Sequence, residues 1–306
     1  MMAARTQSPA PFDARGLRGV LRIHEPMSQH TSWRVGGVAD YFYLPADKED
    51  AVDLVRRIPR DMPVTWLGLG SNLLVRDGGI EGMVIKTVKS LAGVDILDRN
   101  RLFAEAGATC AKVARRSVAA GLAGAEFLAG VPGSFGGALA MNAGAFGGET
   151  WPLVLEVECV DRQGNLVRYS RGEVAYGYRR VELPDGVALL SGVLELRPGE
   201  GDGGRQEIRK LLDRRSASQP IQSANAGSVF KNPRGDHAAR IIEQAGLKGH
   251  SVGGARLSAK HANFIINEGG ASARDIEALI EEVRERVLSA SGIELEPEVR
   301  IIGRRP

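Results

Sequence analysis

Apolar residues recur along the chain with two different periods, and the clearest helical period lies near the C-terminus. Ser272 and Asp275 form a capping pair at its start, which predicts that a helix begins there. The apolar face of this helix consists of Ile276, Leu279, Ile280, Val283 and Val287. A second helix is predicted over residues 48–58, because Asp47 can cap its first turn and its apolar residues share one face.

Shorter apolar runs predict β-strands separated by turns. Val64–Leu67 has the composition of a buried strand, and Leu73–Val75 is a second strand beyond a glycine turn. Apolar and acidic residues alternate over residues 155–159, and the turn at residues 161–164 makes this segment half of a hairpin. A further strand is expected over residues 187–196.

The remaining segments alternate between helix and strand. A helix is predicted after Thr109, with Gly121 as its stop, and another over residues 238–245. Short strands are predicted at residues 264–266 and around residues 299–302.

The order of these elements predicts an α+β protein. Residues 198–204, PGEGDGG, have the composition of a flexible connector and suggest a boundary between units. We therefore expect a loose leader and three units, with the bounds 1–18, 19–90, 91–200 and 201–306.

Composition limits the class of protein. The chain has 306 residues, 43% hydrophobic and 25% charged, which is typical of a soluble globular protein. The net charge of +3 is mild, and with no basic run and only 5% aromatic residues we expect no nucleic-acid binding. No stretch of 18 uninterrupted apolar residues occurs, so no membrane span is expected.

The two cysteines, Cys110 and Cys159, have the pattern of small buried apolar residues. No Cys or His cluster offers a ligand set, so we expect no metal site. Few thiols and no apolar run of signal-peptide length at the start predict a cytoplasmic protein.

The turn at residues 68–72, GLGSN, directly follows a predicted strand. Glycines allow positive φ and close approach of a ligand, and successive free N–H groups form a concave anion site. Two interpretations fit this segment, namely a tight turn between strands or an anion-binding turn. The turn is followed by a strand instead of a helix, and no GxxxxGK[ST] occurs, which excludes the two common nucleotide motifs.

Two more segments are rich in glycine. Residues 130–138 are expected to form a second glycine turn, and residues 130–148 carry almost no charge, which is typical of backbone lying against a large flat ligand. Disorder is the alternative, but Val131, Phe135 and Met141 within the segment argue against it. Residues 30–37, HTSWRVGG, again place glycines after a polar and basic stretch.

Three further segments follow these three along the chain. In chain order, the six segments are 30–37, 68–72, 130–138 with 142–145, 178–179, 226–233 and 295–300. Together they resemble the MurB family, the UDP-N-acetylenolpyruvoylglucosamine reductases, over nearly all of residues 19–303. The resemblance implies an FAD-binding pair of subdomains of the PCMH or vanillyl-alcohol-oxidase type. It also implies a C-terminal α+β domain that binds the substrate.

The resemblance further implies non-covalent FAD, NADPH as the reductant and UDP-N-acetylglucosamine enolpyruvate as the substrate. The product would be UDP-N-acetylmuramate, a peptidoglycan precursor. No tyrosine lies between Arg179 and Ser228, so the chain is similar to the shorter subgroup that lacks a substrate-clamping tyrosine insertion.

No side chain can donate a hydride, so a flavin or nicotinamide must reduce an enol ether conjugated to a carboxylate, and three residues are expected to assist that reduction. The Arg179 guanidinium always stays charged, so it suits both binding of the substrate carboxylate and stabilisation of the negative charge that reduction pushes onto that carboxylate. Without the family motif, Arg179 would be interpreted as a surface arginine. Ser228 lies in no nucleophile elbow and can give a proton, and by resemblance it is the catalytic serine. Glu298, aimed by the preceding proline, is the third catalytic residue by resemblance, with Glu296 as the nearby alternative.

The other site residues follow from the matching motifs. The expected cofactor-binding residues are Arg34, Gly36, Gly68, Leu69, Gly70, Ser71, Asn72, Leu73, Pro132, Ser134, Gly137, Asn142 and Gly144. The expected substrate contacts are Lys231, Asn232, Arg300, Gln219 and His261. For His261, a structural role in the core is an equally good interpretation.

Two other functions fit parts of this pattern. One is a different flavin oxidoreductase of the same fold, acting on a sugar alcohol or a lactone. The other is a sugar-nucleotide sensor without turnover. Arg179, Ser228 and Glu298 in their motifs favour the reductase over both, while no motif indicates an oligomeric state.

Overall fold

The computed structural model describes residues 10–306, so residues 1–9 of the expected leader lie outside the described residues. Within that range no helix is long and apolar enough to cross a bilayer. The α-helices are α1 Lys48–Arg57, α2 Cys110–Ala119, α3 Phe135–Met141, α4 Gly201–Ser218, α5 Ala238–Gln244 and α6 Ala273–Ser291. Short 3-10 helices cover Met27–Gln29, Glu126–Gly130, Trp151–Leu153 and Arg171–Glu173.

The strands are short and fall into several sheets. In chain order they are β1 Val20–Pro26, β2 Val38–Leu44, β3 Val64–Leu67, β4 Leu73–Val75, β5 Ile80–Lys86, β6 Val94–Ile96, β7 Arg101–Glu105, β8 Leu122–Ala123, β9 Gly144–Ala145, β10 Gly148–Glu149, β11 Val154–Val160, β12 Leu166–Ser170, β13 Ala175–Gly177, β14 Arg180–Glu182, β15 Ala188–Glu195, β16 Arg197–Pro198, β17 Ser251–Val252, β18 Ala255–Leu257, β19 Ile265–Asn267 and β20 Arg300–Ile302.

The first sheet has the strand order β1-β2-β5-β3, with β1 antiparallel to β2 and the other pairs parallel. Parallel strands need a crossover connection, and α1 provides it between β2 and β3, which lie on either side of β5. Asp47 caps α1 by accepting a hydrogen bond from the Asp50 N–H at 2.9 Å. Leu54 of α1 packs with Met83 and Ile85 in a fully buried core. The predicted helix and strand β3 are therefore confirmed.

The second sheet is antiparallel throughout, in the order β12-β11-β15-β7-β6. Thr109 caps α2 by accepting from the Lys112 N–H at 3.1 Å, so the predicted helix start is confirmed. The predicted hairpin appears as β11 and β12, and the predicted strand as β15. Cys110 and Cys159 are both fully buried, as expected of small apolar residues.

The C-terminal part of the chain packs α5 and α6 with the sheet β17-β18-β19. All five residues of the predicted α6 face are fully buried, and Ser272 and Asp275 form the predicted capping box. β20 leaves this region and pairs in parallel with β4, placing Arg300 opposite Leu73. The last strand therefore lies beside the strand that leaves the 68–72 turn.

Trp33 attaches the 30–37 segment to the C-terminal region. Its ring is fully buried, and Nε1 donates to the Ile265 carbonyl at 2.8 Å. The Asn267 side-chain amide donates in turn to the Trp33 carbonyl at 2.9 Å. Two hydrogen bonds across more than 230 positions of sequence thus hold this glycine-containing segment in place.

The expectation of a flexible connector at residues 198–204 is wrong, because α4 begins at Gly201. A Cβ at Gly204 would lie 2.8 Å from the Val118 side chain, so the glycine lets α4 lie close against α2. Ile208 of α4 joins the core of the second sheet. This packing favours a boundary after α4, and we propose that division in place of the predicted one at residue 201.

The 130–148 segment contains a helix that its sequence did not predict. Ser134 caps α3 by accepting from the Gly137 N–H at 3.3 Å. A Cβ at Gly136 would lie 2.7 Å from the Ala106 Cβ, so glycine permits close packing of α3 on the chain after β7. The segment is ordered by this helix, and the interpretation of it as a glycine turn alone is wrong.

Candidate active site

A cavity of about 370 Å³ lies between the glycine-rich segments 68–72 and 130–148. Trp66, Phe146 and Phe264 form part of its wall. The predicted site residues that line it are Gly68, Leu69, Gly70, Ser71, Asn72, Leu73, Pro132, Ser134, Gly137, Gly144, Arg179, Gln219, Ser228, Glu298 and Arg300. Residues from widely separated parts of the sequence therefore meet at one cavity.

The two glycine segments touch each other beside this cavity. A Cβ at Gly68 would lie 2.1 Å from Ser134 Oγ, and a Cβ at Gly133 would lie 3.3 Å from Ser71 Oγ. A side chain at Gly68 would displace the Ser134 hydroxyl, which caps α3, and one at Gly133 would crowd Ser71. The two glycines therefore allow the segments to lie close together.

The 68–72 turn is supported from behind by the 30–37 segment. Gly70 has a φ of +71°, and a Cβ there would lie 2.0 Å from the His30 carbonyl oxygen. The Ser32 N–H donates to the Gly70 carbonyl at 3.1 Å. This position combines left-handed backbone with backbone contact, so only glycine fits it without displacement.

Four backbone N–H groups of the same turn have no acceptor among the residues that the structure describes. Within residues 10–306, the N–H groups of Leu69, Gly70, Ser71 and Asn72 donate no hydrogen bond. Consecutive uncommitted N–H groups in a turn form a concave site for an anion. The turn can therefore hold a phosphate group through its backbone.

Arg179 reaches the cavity from the tight turn between β13 and β14, where its φ is +55°. Its Nε donates to Glu298 Oε1 at 2.7 Å, and its Nη2 donates to the Gly144 carbonyl at 3.1 Å. The guanidinium also lies over the Tyr178 ring, 5.1 Å from the centroid. These contacts fix two of its nitrogens, and Nη1 makes no hydrogen bond to the described residues.

Glu298 lies just before β20, and its side chain is only 11% exposed. Burial raises the pKa of Glu298, while the charges of Arg179 and Lys231 and the hydrogen bond from Arg179 oppose that rise. The Asn72 side-chain amide donates to the Glu298 carbonyl at 3.1 Å. The Glu298 carboxyl is thus largely shielded from water beside Arg179, and the Glu298 backbone is bonded to the 68–72 turn.

Ser228 lies on a short extended segment that is held on both sides. Asn263 binds Phe230 twice, because Oδ1 accepts from the Phe230 N–H at 2.9 Å and Nδ2 donates to its carbonyl at 2.8 Å. On the other side, the Glu298 N–H donates to the Val229 carbonyl at 2.7 Å. The Ser228 hydroxyl makes no hydrogen bond within residues 10–306, so its proton is available. Asn263 is a buried positioning group that the sequence motifs did not point to.

Three of the expected cofactor residues do not line the cavity. Arg34 is exposed, with a φ of +60°. Gly36 packs against Val75, where a Cβ would lie 2.8 Å away. Asn142 is fully buried behind the wall, and its amide is bonded to other parts of the protein. Gly36 and Asn142 therefore have packing and hydrogen-bonding positions inside the fold, whereas Arg34 has an exposed one.

Three of the expected substrate residues also lie off the cavity wall. Lys231 forms an ion pair with Glu296, and the Asn232 side chain accepts from the Ala238 N–H at 3.1 Å, at the start of α5. The His261 ring packs edge-on against Phe264, and burial lowers its pKa. Gln219 and Arg300 are the two expected substrate residues that the cavity includes.

Comparison with known proteins identifies the family. Residues 39–170 match the FAD binding domain family, and residues 219–302 match the C-terminal domain of UDP-N-acetylenolpyruvoylglucosamine reductase. The UDP-N-acetylenolpyruvoylglucosamine reductase of Methylococcus capsulatus is 54% identical, over 98% of this chain and 97% of that protein. The one from Alkalilimnicola ehrlichii is 52% identical, over 93% of this chain and 95% of that protein. The chain belongs to the UDP-N-acetylenolpyruvoylglucosamine reductase family.

A solved reductase structure supports the same assignment. The crystal structure of UDP-N-acetylenolpyruvylglucosamine reductase (MurB) from Thermus caldophilus matches with a TM-score of 0.78 at 31% identity. The match covers 94% of this chain and 99% of that chain. The resemblance and the FAD-binding α+β fold expected from the sequence are therefore confirmed.

This member of the reductase family also contains a partly buried chain of titratable groups behind the 68–72 turn. Lys86 Nζ lies 2.9 Å from His30 Nδ1, and His30 Nε2 lies 2.8 Å from Glu25 Oε1. Arg22 Nη1 donates to the same Glu25 oxygen at 2.6 Å. Because an ammonium can only donate, His30 accepts at Nδ1 and carries its proton on Nε2. The neutral ring, stacked on Phe42, links Lys86 to Glu25.

Because His30 is titratable and largely buried, we expect the free energy of unfolding to depend on pH in the acid range. Burial lowers the pKa of His30 below its ordinary 6.5, while the hydrogen bond with Glu25 opposes that shift. The unfolded chain therefore binds this proton more readily, so the contribution of His30 to stability is complete above 6.5 and is lost as the pH falls through the folded-state pKa. We expect His30→Gln to flatten the acid slope of unfolding free energy, by at most about 1.4 kcal/mol per pH unit.

Urea unfolding of both proteins between pH 7.5 and pH 5 measures this slope. His237→Gln, at an exposed histidine, is the matched control and should leave the slope as in the wild type. Identical slopes for wild type and His30→Gln would show that the His30 ring does not titrate as its surroundings require.

The second prediction concerns the contact between Gly70 and His30. Gly70→Ala should lower the unfolding free energy by more than the roughly 1–2 kcal/mol of left-handed strain, because backbone must also move. The purified variant should also carry less FAD. Gly235→Ala is the control, since its φ is +79° but a Cβ there meets nothing within 4 Å. Equal stability loss and equal FAD content in the two variants would contradict the contact.

Proposed function

We propose that this protein reduces UDP-N-acetylglucosamine enolpyruvate to UDP-N-acetylmuramate, with FAD as its cofactor and NADPH as the reductant. This reaction supplies a precursor of peptidoglycan. One observation carries the proposal: Arg179, Ser228 and Glu298 lie at the same cavity as a turn with four uncommitted N–H groups. The first feature suits a carboxylate-bearing substrate, and the second suits the pyrophosphate of FAD.

The residues of the cavity fit FAD. Leu69, Gly70, Ser71 and Asn72 would hold the pyrophosphate through backbone N–H groups, which suit an anion. The 130–137 segment would offer uncharged backbone and apolar surface to the flat ring system. The chemistry that FAD would supply when bound there is hydride transfer, with the hydride coming from NADPH and going to the β-carbon of the enol ether.

Arg179 would bind the carboxylate of the substrate and stabilise the charge that hydride addition pushes onto it. Its Nη1 is free for this contact, while Nε and Nη2 are held by Glu298 and Gly144. A guanidinium held in advance stabilises the developing charge without reorganising when the reaction occurs. Because that charge grows along the reaction, the interaction is stronger in the transition state than with bound substrate.

Glu298 would hold Arg179 at the correct angle and polarise the substrate beside it. Its carboxylate accepts from Arg179 Nε at 2.7 Å. Removal from water raises its pKa, so this carboxyl takes up a proton at higher pH than an exposed glutamate. Solvent-exposed Glu296, two residues earlier, pairs with Lys231 and does not line the cavity.

Ser228 would complete the reaction by giving its hydroxyl proton to the α-carbon. The hydride has then gone to the β-carbon and the proton to the α-carbon, so the double bond is saturated, and the serine regains its proton from solvent. Asn263 and Glu298 fix the backbone of Val229 and Phe230, directly after Ser228, which restricts where the hydroxyl can lie.

Arg300 and Gln219 are the proposed contacts to the sugar nucleotide, since both line the cavity. Arg300 is exposed, so its cation can meet the diphosphate of the substrate. Lys231 would join them by leaving its exposed partner Glu296. Asn232 and His261 lie off the cavity wall, so for them we propose only supporting positions.

The third prediction tests the function itself. The purified protein should be yellow, NADPH should bleach the flavin absorbance without oxygen, and UDP-N-acetylglucosamine enolpyruvate should restore it. The two half-reactions should occur separately, because one flavin must meet both partners in turn. Failure of the substrate to restore the absorbance of an NADPH-bleached sample would contradict the proposed substrate. A protein that takes up no FAD would contradict the proposal as a whole.

A further inference from the structure

Asn142 connects the wall of the cavity to the turn that carries Arg179. It ends α3 in the left-handed conformation, with φ +47° and ψ +54°, and is fully buried. We propose that Asn142 is a positioning residue for Arg179, in place of the FAD contact expected from its motif. The inference rests on the proposed function, since it concerns how Arg179 is placed for that reaction.

The Asn142 amide is fully engaged within the protein. Its Nδ2 donates to the Gly177 carbonyl at 3.0 Å and to Glu149 Oε2 at 3.0 Å. Its Oδ1 accepts from the Trp151 N–H at 2.9 Å. Both acceptors need the amide nitrogen and the Trp151 N–H needs the oxygen, so a flipped amide would break every contact. No donor of the amide is left for a ligand.

The turn that carries Arg179 depends on such a contact. Among the strands of residues 10–306, β13 and β14 pair only with each other, so no larger sheet in that range holds them. Gly177 is the last residue of β13, two positions before Arg179. Arg179 itself has a φ of +55°, which costs free energy for a residue with a Cβ and persists only where the surroundings impose it. The bond from Asn142 acts at the base of this strained turn.

The contacts form a closed ring through the protein. Asn142 binds the Gly177 carbonyl, the chain continues to Arg179, and Arg179 Nη2 donates to the Gly144 carbonyl at 3.1 Å. Gly144 is two residues after Asn142 and lines the cavity. The ring therefore ties the guanidinium to the same segment that forms the cavity wall. The Tyr176 ring of β13 also stacks on the Trp151 ring, with 5.6 Å between the ring centroids.

Replacing the Asn142 amide by a carboxylate of nearly the same shape tests this positioning role. Asn142→Asp removes the donor to Gly177 and places a carboxylate against Glu149. We expect the rate of flavin reoxidation by substrate to fall by about 100-fold, the size of effect that a displacement of about 1 Å produces. FAD affinity and flavin reduction by NADPH should stay within about twofold of wild type, because Asn142 does not line the cavity.

Two further variants separate positioning from stability. Asn142→Asp/Glu149→Gln removes the repulsion and should regain stability, yet its reoxidation rate should stay low because the donor to Gly177 is still missing. Thr150→Val is the matched control, since it removes the buried hydrogen bond from Thr150 Oγ1 to the Ala143 carbonyl, at 2.6 Å, without touching Gly177. It should lose stability but keep its reoxidation rate.

Stopped-flow absorbance, FAD titration and thermal unfolding of these proteins measure the three quantities. Near-normal reoxidation in the double variant would overturn the positioning role, and so would an equal loss of reoxidation in Thr150→Val. A selective loss of FAD affinity would instead make Asn142 a cofactor contact. If the wild-type flavin were not reoxidised by the substrate at all, the proposed function would fail, which is a separate outcome.

Discussion

A buried ion pair between Arg179 and Glu298 joins two parts of the chain that are 119 positions apart. Neither partner has much access to water, with side chains 16% and 11% exposed. Removing one partner of such a pair leaves an uncompensated charge in a dry site, which is strongly unfavourable. The backbone near both residues is held by the pairing of β20 with β4, by the bond from Asn142 to Gly177 and by the bonds from Asn263 to Phe230.

The fold could be predicted from the sequence wherever local chemistry decides the structure. Capping residues marked the starts of α1, α2 and α6, and apolar periodicity marked their buried faces. The failures have one cause in common. In α3 and α4, glycines indicated a turn and a connector, but they allow helices to approach Ala106 and Val118 closely. Close packing depends on a distant partner, which local sequence does not contain. β19 begins one residue later than predicted, an ordinary boundary difference.

The candidate site could be predicted where motif residues face the cavity, as 15 of the 21 expected residues do. A motif contains both the residues that touch a ligand and those that hold them in place, and sequence alone does not separate the two. Asn142 and Gly36 are of the second kind in this structure. Asn263 and the chain from Lys86 to Glu25 were missed, because their importance lies in hydrogen bonds between distant segments. A polar residue that is buried, although its own segment offers no hydrogen-bond partner for its side chain, is the signal that could have indicated these residues.

Ser228 offers the most direct test, because its proposed role belongs to one half-reaction only. In Ser228→Ala, stopped-flow absorbance should give a normal rate of flavin reduction by NADPH and a rate of reoxidation by UDP-N-acetylglucosamine enolpyruvate about 10²–10⁴-fold lower. Ser223→Ala, at an exposed serine five residues earlier, should match the wild type in both. Wild-type reoxidation in Ser228→Ala, or an equal loss in both half-reactions, would contradict the assignment of this serine as the proton donor at the cavity.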